Sequence, residues 1–342
     1  MPRKSYRQAI NEALRQEMER DPSVILMGED VSGGTGAPGE QDAWGGPFGV
    51  TKGLYTKFGP DRVLDTHIAE VSYIGAAVGA AATGLRPVAD LMYVDFIGTC
   101  LDQLMNQAAK FRYMFGGKAT TPLVVRTSYG VGGNGAAQHS QALYPILTHI
   151  PGLKVVLPSS PYEAKGLMIQ AIRDNDPVIF FENRALYDTM GEVPDEPYSI
   201  PFGQANVLKE GDDVTIVAFG RMVSFALTAA ESVQKLGISC TVVDPRTTSP
   251  LDVETILETV AETGRLVVVD EATPRCSMAT DIVSLVSTNG FATLKAAPKI
   301  VSAPHSPVPF STALEPLYLP SVEKIEAAIL AVLDKAPINN AA

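Results

Sequence analysis

The stretch DTHIAEVSYIGAAVGAAATG, residues 65–84, joins a short predicted strand to a helix whose side chains are almost all small. Glu70 lies at the first turn of that helix, and Ala, Gly and Val fill most of the turns that follow. Small side chains let another backbone or a flat ring come close. A carboxylate among apolar groups is poorly hydrated, which suits proton exchange with a bound ring. The alternative is that Glu70 only complements the helix dipole.

Strands and helices alternate on both sides of this stretch. Apolar runs such as 24–28 and 178–183 have the length of buried strands, and runs such as 161–174 have helical spacing. This alternation predicts an α/β fold with parallel sheets and helices on both faces. It also places functional loops at the carboxyl ends of the strands.

A segment with three prolines and little periodicity, residues 188–206, divides the chain and is interpreted as an interdomain linker. We therefore expect a first domain over residues 1–187 and a smaller α/β domain over residues 207–338. Two domains are also the natural expectation for 342 residues.

Composition narrows the class of protein. The net charge of −11 argues against nucleic acid and anionic membranes as partners. Hydrophobic residues make up 46% of the chain, which indicates surface covered in an oligomer. The three cysteines lack metal-ligand spacing and are expected to be reduced thiols of a cytoplasmic protein. No signal peptide and no apolar run of membrane-spanning length is recognised.

Two glycine-rich stretches were considered as sites. Residues 34–39, GTGAPG, have the spacing of a dinucleotide fingerprint, but Pro38 and the lack of an immediate helix pattern count against a nicotinamide site. Residues 132–135, GGNG, are interpreted as a flexible loop that presents His139. A histidine there can act as a general acid or can be bonded only to backbone, and its sequence context leaves both roles open.

Ordered motifs run along the whole chain, among them VTKGLYTKFGPDRVLDT at 50–66, LDQLMNQAAKFRYMFGG at 101–117 and AIRDNDPVIFFEN at 171–183. Together they resemble the β subunits of the thiamine-diphosphate-dependent component of 2-oxo acid dehydrogenase complexes. The resemblance implies a transketolase-like pyrimidine-binding domain followed by a transketolase C-terminal domain. The Gly-rich insert at 33–46 is similar to the acetoin dehydrogenase branch of this family.

The resemblance also implies roles for individual residues. Glu70 matches the glutamate that bonds the aminopyrimidine ring of thiamine diphosphate, and Phe96 matches the aromatic residue that stacks on this ring. Glu29 matches an acid of a proton path near the cofactor. His139 matches the histidine that faces the substrate adduct and the incoming lipoyl group. His67 is a departure, because many relatives have Pro there.

A possible potassium site is a further implication of the resemblance. Its positions are Leu123, Ala171, Ile172, Asp174 and Asp176. Asp176 departs from the family pattern, since relatives often carry Asn at this position.

The motif that holds the diphosphate and magnesium in this cofactor class, GDG followed by NN, is missing. Gly211-Asp212-Asp213 breaks its first half, and Asn339-Asn340 lies in the C-terminal tail. The resemblance therefore implies an α subunit that holds diphosphate and magnesium in an α2β2 heterotetramer. A lipoyl-bearing acyltransferase is the second implied partner.

The expected activity is that of a thiamine-diphosphate-dependent oxidoreductase which cleaves acetoin and acetylates the lipoyl acyltransferase. The near alternative is a pyruvate or branched-chain 2-oxo acid dehydrogenase β subunit. A nicotinamide oxidoreductase that uses residues 34–39 and a non-catalytic assembly subunit are the alternatives from other classes.

Overall fold

The chain folds into two α/β units, each built on its own parallel sheet, in the computed structural model, which describes residues 1–33 and 42–335. The first unit comprises Met1–Tyr129 and Ile146–Phe202, and the second comprises Gly130–Pro145 and Gly203–Ala342. Residues 34–41 and 336–342 lie outside the described part. The glycine-rich stretch at 34–39, weighed against a dinucleotide fingerprint, and the Asn339-Asn340 pair therefore lie outside the described residues.

The first 202 residues contain eight strands and seven α-helices among their described residues. The strands are β1 Arg3–Ser5, β2 Val24–Gly28, β3 Val63–Asp65, β4 Arg86–Tyr93, β5 Val124–Tyr129, β6 Lys154–Val156, β7 Val178–Asn183 and β8 Met190–Glu192. The helices are α1 Tyr6–Arg20, α2 Leu54–Phe58, α3 Glu70–Ala82, α4 Ile97–Asp102, α5 Phe111–Met114, α6 Tyr144–Thr148 and α7 Pro161–Arg173.

Six strands of the first unit form a parallel sheet in the order β6-β7-β5-β4-β2-β3. Every residue of β2, β5 and β7 is buried, as expected for a parallel sheet covered on both faces. After β2 the chain continues to β3 on one side, and after β4 it continues to β5 on the other side. The carboxyl ends of β2 and β4 therefore flank a topological switch point, the usual ligand crevice of such sheets.

The second unit repeats this plan with a five-stranded sheet. The strands after residue 202 are β9 Asn206–Lys209, β10 Val214–Ala218, β11 Cys240–Asp244, β12 Thr247–Ser249, β13 Leu266–Asp270 and β14 Lys299–Ser302, and all of them except β12 belong to this sheet. The α-helices after residue 202 are α8 Met222–Gln234, α9 Val253–Thr263, α10 Met278–Asn289, α11 Glu315–Tyr318 and α12 Val322–Val332. The sheet order is β14-β13-β10-β11-β9, and only β9 runs antiparallel to its neighbour.

Each unit has its own apolar core. In the first unit, Ile10 and Leu14 of α1 share one buried cluster with Leu167 of α7 and Leu26 of β2. In the second unit a separate cluster joins the inner faces of β10, β11 and β13 to α8 and α12. Full burial of one such aliphatic side chain contributes about 1.5–3 kcal/mol, so each cluster can stabilise its own unit.

The segment 188–206, expected to be a linker, is largely part of the first unit. It contains β8, which pairs antiparallel with β1. Farther along, Ile200 and Tyr198 lie directly on α7: a Cβ built on Gly166 would be 2.6 Å from Ile200 and 2.7 Å from Tyr198. The prolines that suggested a linker thus interrupt regular structure without separating the chain from the core.

Residues 97–115 do not form one continuous α-helix, because a π-helical stretch Gln103–Ala108 separates α4 from α5. By their contacts, residues 130–145 cluster with the second unit. Among the described residues, no helix combines the length and apolar character needed to cross a membrane. The three cysteines are free thiols.

Candidate active site

Three of the predicted site residues lie at the carboxyl ends of three neighbouring strands. Glu29 follows β2 directly, Phe96 lies three residues after β4, and Glu70 begins α3 five residues after β3. Since these strands are parallel neighbours in the order β4-β2-β3, the three residues share the edge that contains the switch point. The fold thus brings together the residues expected to meet a flat ring.

Thr99 links two of these residues and was missed by the sequence reasoning. Its hydroxyl oxygen lies 2.9 Å from the Phe96 carbonyl oxygen and 3.4 Å from Glu70 Oε2. A Thr hydroxyl often donates to the carbonyl three residues earlier in a helical turn. The position of Thr99, three residues after Phe96, could therefore have suggested this hydrogen bond. Thr99 thereby holds the turn of Phe96 close to the Glu70 carboxylate.

Glu29 is the acid of this edge whose titration is shifted. Burial raises its pKa, and the negative charges of Asp30 and Glu70 raise it further. Both causes disfavour the ionised form of Glu29. A carboxyl group with a raised pKa holds its proton more tightly than an ordinary glutamate and is better suited to proton exchange with a nearby basic group.

An aromatic wall borders the same edge. The ring of Phe96 meets the ring of Tyr93 edge to face, with centroids 5.6 Å apart. The Arg184 guanidinium lies 5.3 Å from the Tyr93 ring centroid, within the range of a cation–π contact. Phe96 itself is only partly buried. Part of its surface is therefore available to a ligand.

A buried ion cluster lies beside this edge and was also not foreseen. Arg126 donates to the two carboxylate oxygens of Glu182 at 2.8 and 2.6 Å, and it also bonds Asp90. All three side chains are at most 4% exposed. Two carboxylates face one guanidinium, so the cluster carries one surplus negative charge. Tyr187 donates its hydroxyl to Glu182 at 2.8 Å.

This cluster is coupled to Glu29. Burial raises the pKa of Asp90; Glu182 and Glu29 add to that rise, and Arg126 opposes it. The contact is also steric, because Gly28 of β2 pairs with Asp90 of β4. Gly28 has φ +155°, and a Cβ there would lie 2.8 Å from the Asp90 Cβ. The backbone that presents Glu29 thus rests directly on the buried cluster.

His139 belongs to the second unit, whereas Glu70, Phe96 and Glu29 belong to the first. We name Gly130–Pro145 the His139 segment. The sequence suggested a flexible loop, but the structure attaches this segment to its own unit: for example, Asn134 donates to the Phe310 carbonyl at 2.9 Å. A cavity of about 450 Å³ lies within the second unit, bordered by Ser140 and Gln141 of the segment and by Glu271 and His305.

The five candidate potassium positions lie near one turn of the first unit, but their oxygens have protein partners. The Arg86 guanidinium donates to the carbonyls of Ile172 at 3.0 Å and Asp174 at 2.8 Å. The Leu123 carbonyl accepts from the Val178 amide at 2.8 Å. The Ala171 carbonyl accepts from the Asp174 amide at 3.3 Å.

Two further cations meet the carboxylates of this turn. Lys154 lies 2.7 Å from both Asp174 oxygens, and Arg112 pairs with Asp176. Asp176, the departure from the family pattern, thus has a cationic partner of its own. Potassium binding stays a prediction, and Arg86 competes for the same carbonyl oxygens.

The donor set of the first unit fits half of thiamine diphosphate. Glu70 and Glu29 can exchange protons with an aminopyrimidine, Phe96 can stack on it, and α3 has open space at Gly79, where a Cβ would meet nothing within 4 Å. The diphosphate half is held together with a magnesium ion, so it needs metal ligands. Over residues 1–33 and 42–335, no group of three or more His, Cys, Asp or Glu side chains could hold a metal ion.

The broken motif Gly211-Asp212-Asp213 has a structural role. The Gly211 amide donates to the Thr241 hydroxyl at 3.0 Å, and that hydroxyl donates to the Gly211 carbonyl at 2.6 Å. Asp213 accepts from the Ser239 amide at 2.8 Å. The motif is thus the turn that leads into β10.

Comparison with known proteins accounts for both units. Residues 3–190 match the transketolase pyrimidine-binding domain, and residues 203–325 match the transketolase C-terminal domain. A solved structure described as a split gene transketolase, an inactive β4 tetramer, has a TM-score of 0.77 over 96% of this chain and 98% of its own chain, with 23% identity. The expected fold class is confirmed.

Curated relatives align over nearly the whole chain. The acetoin:2,6-dichlorophenolindophenol oxidoreductase β subunit of Cupriavidus necator is 62% identical over 324 residues, which cover 95% of this chain and 96% of the relative. The protein of the same name from Bacillus subtilis is 55% identical over 337 residues, 98% of each chain.

More distant relatives are 2-oxo acid dehydrogenase subunits. The 2-oxoisovalerate dehydrogenase β subunit of Bacillus subtilis is 43% identical over 327 residues, covering 95% of this chain and 97% of its own. The pyruvate dehydrogenase E1 component β subunit of Rickettsia felis is 44% identical over 325 residues, with the same coverage. The chain therefore belongs to the family of transketolase-like β subunits that includes those of acetoin:2,6-dichlorophenolindophenol oxidoreductase and of the 2-oxo acid dehydrogenases.

Proposed function

We propose that this chain is the β subunit of an acetoin dehydrogenase. With an α subunit it would cleave acetoin to acetaldehyde and transfer the remaining acetyl group to a lipoyl acyltransferase. The reaction balances: acetoin and the lipoyl disulfide give acetaldehyde and S-acetyl-dihydrolipoyl. The observation that carries the proposal is the 62% and 55% identity to acetoin-oxidising β subunits, against 43–44% for the 2-oxo acid subunits.

Thiamine diphosphate would supply the carbon nucleophile and the electron sink of this reaction. The residues of the first unit would bind and orient its pyrimidine half. Glu70 would bond a ring nitrogen and exchange a proton with it, while Glu29, whose pKa is raised by burial, would take part in proton exchange nearby. Phe96 would stack on the ring and exclude water from one of its faces. Thr99 keeps Glu70 and the Phe96 turn together.

His139 would act where the substrate carbon and the lipoyl group meet. A neutral imidazole can accept a proton and an imidazolium can donate one near neutral pH, so the residue suits proton transfer to an oxygen or sulfur. His139 lies within the residues that match the pyrimidine-binding domain, in a segment whose contacts cluster with the second unit.

The missing diphosphate site supports an α subunit as an obligate partner. Exposed apolar side chains support a covered surface on the first unit: Ile68, Tyr113, Met114 and Phe115 are each more than half exposed. Contiguous exposed apolar surface commonly marks an interface. We propose an α2β2 heterotetramer in the cytoplasm, with magnesium held by the α subunit.

The test is reconstitution. The chain is co-expressed with a candidate α subunit that carries GDG and NN, and acetoin-dependent reduction of 2,6-dichlorophenolindophenol is measured with pyruvate and 2-oxoisovalerate as competing substrates. We expect activity with acetoin at least tenfold above the other two. Preference for a 2-oxo acid would establish the alternative function, and no activity with any substrate would support the assembly-subunit alternative.

Calorimetry of the isolated chain tests the division of the cofactor site. We expect no magnesium-dependent binding of thiamine diphosphate by this chain alone and binding by the assembled complex. Tight binding without the partner would contradict the two-subunit site.

A further inference from the structure

The His139 segment is attached near both of its ends to two adjacent residues of the second unit. Near its start, the Val131 amide donates to Glu271 Oε1 at 2.6 Å. Near its end, the Tyr144 hydroxyl donates to Asp270 Oδ1. Asp270 ends β13 and Glu271 follows it, so one strand end receives both ends of the segment. The two contacts span 140 and 126 residues of sequence.

The two carboxylates are rigid acceptors. Asp270 is fully buried and Glu271 is 4% exposed. Asp270 also accepts from the Ala272 amide at 2.9 Å and from the Ala279 amide at 3.1 Å, in the first turn of α10. A buried carboxylate is costly unless hydrogen bonds compensate for its lost hydration, so these donors fix its orientation. Burial raises the pKa of Asp270, and these bonds oppose the rise.

The attachment at Val131 has two more components. Arg221 donates to the Val131 carbonyl at 3.2 Å, so both backbone groups of this residue are bonded. The Val131 side chain is buried in a small apolar cluster with Ala303, Val308, Tyr318 and Leu319. The Tyr144 ring is also buried, and it lies 6.4 Å from the Phe219 ring.

We infer that Asp270 and Glu271 are positioning residues that hold the two ends of the His139 segment, so that the second unit sets the position of His139. Between these attachments, residues 137 and 140–143 border the cavity of about 450 Å³, which Glu271 also lines. The catalytic consequence rests on the proposed function of His139; the attachment itself does not.

Hydrogen exchange tests the attachment without any activity measurement. Four variants of the full chain are compared: Glu271→Ala, Glu271→Gln, Tyr144→Phe and, as a matched control, Glu258→Ala on the exposed face of α9. We expect amide exchange within residues 130–145 to become about tenfold faster in Glu271→Ala and Tyr144→Phe, the size expected for one lost hydrogen bond to a carboxylate. Gln keeps an acceptor oxygen, so Glu271→Gln should resemble the parent.

Unchanged exchange over residues 130–145 in Glu271→Ala and in Tyr144→Phe would overturn the inference. If Glu271→Ala does not fold, Tyr144→Phe alone decides, because it removes one hydroxyl and retains the ring. Faster exchange in Glu258→Ala would also overturn it, since the effect would then be general.

A double-mutant cycle in the complex with the α subunit tests the link to His139. We expect Glu271→Ala alone to slow lipoyl acetylation about tenfold. Added to His139→Ala, it should have almost no further effect. Additive losses would show that Glu271 does not act through His139. If the proposed function is wrong, the parent complex itself acetylates no lipoyl domain from acetoin, while the exchange result still stands.

Discussion

Glu70 and His139, the two residues expected to carry the chemistry, are held by different means. Glu70 begins a helix at the end of a strand, and its neighbours Phe96 and Thr99 come from the next connection along the sheet. His139 lies in a segment whose attachments are carboxylates more than 120 residues away in sequence. The first position is set by sheet topology and the second by side-chain contacts. A substitution at Glu70 should therefore affect chemistry alone, whereas the function of His139 should also depend on remote residues.

The largest effect is expected at Glu70. Glu70→Gln keeps the size and hydrogen-bonding capacity of the side chain but removes the exchangeable acid. Turnover of the assembled complex, measured by dye reduction with acetoin, should fall by about a hundredfold or more, the usual scale of general acid–base catalysis. Size-exclusion chromatography should show intact assembly.

Glu196→Gln, an exposed change in the same unit, is the matched control and should have near-parental turnover. Near-normal turnover of Glu70→Gln would instead indicate that Glu70 only complements the helix dipole.

The next effect separates acetyl transfer from cleavage at His139. His139→Ala should lower acetylation of a lipoyl domain about 10- to 100-fold, which corresponds to about 1.5–3 kcal/mol for a lost hydrogen bond to a charged group. Dye reduction should fall less. His149→Ala, an exposed histidine of the first unit, is the control. Equal losses in both assays would place His139 at or before cleavage.

The difference between Glu70 and His139 also explains which features could be predicted from the sequence. The strands that end before Glu29 and Phe96 were predictable, because β2 and β4 are apolar runs with clear limits, and parallel topology then places their ends at one edge. The attachment of residues 130–145 was not predictable. Neither Asp270 nor Glu271 has a local signal that connects it to Val131 or Tyr144. Such pairings depend on tertiary contacts that no periodicity records.

The Arg126 cluster was missed for a related reason. Asp90, Arg126 and Glu182 lie within the buried strands β4, β5 and β7, where charged residues are unexpected unless they are paired. Each one alone could be read as facing solvent. Only the alignment of β4, β5 and β7 side by side shows that one guanidinium serves two carboxylates.

A pH experiment tests the surplus charge of that cluster. The pKa of Asp90 is raised from 3.8 to about 6 by burial, so the folded chain binds an extra proton between these values. The stabilising contribution of this proton is therefore present at low pH and is lost as the pH rises through about 6. Asp90→Asn leaves Arg126 and Glu182 as a neutral pair and cannot titrate.

Urea unfolding at pH 4 and pH 7 measures the effect. The stability of Asp90→Asn relative to the parent should increase between these pH values by up to about 3 kcal/mol. Asp61→Asn, at an exposed turn, should show no such change. A difference between Asp90→Asn and the parent that does not vary with pH would mean that Asp90 stays ionised in the folded chain.

The smallest effect is expected when potassium replaces sodium. This prediction compares the Arg86 guanidinium with a potassium ion as partner of the same carbonyl oxygens. Because Arg86 donates to the carbonyls of Ile172 and Asp174, exchange of NaCl for KCl at equal ionic strength should shift the melting temperature of the parent by less than about 1 °C. Arg86→Met removes the guanidinium and leaves these carbonyls without that donor. A potassium ion could then bind them, so KCl should stabilise this variant by a few degrees more than NaCl does, with Lys235→Met as the surface control. A large shift specific to KCl in the parent would instead mean that potassium binds despite Arg86, as the family resemblance implies.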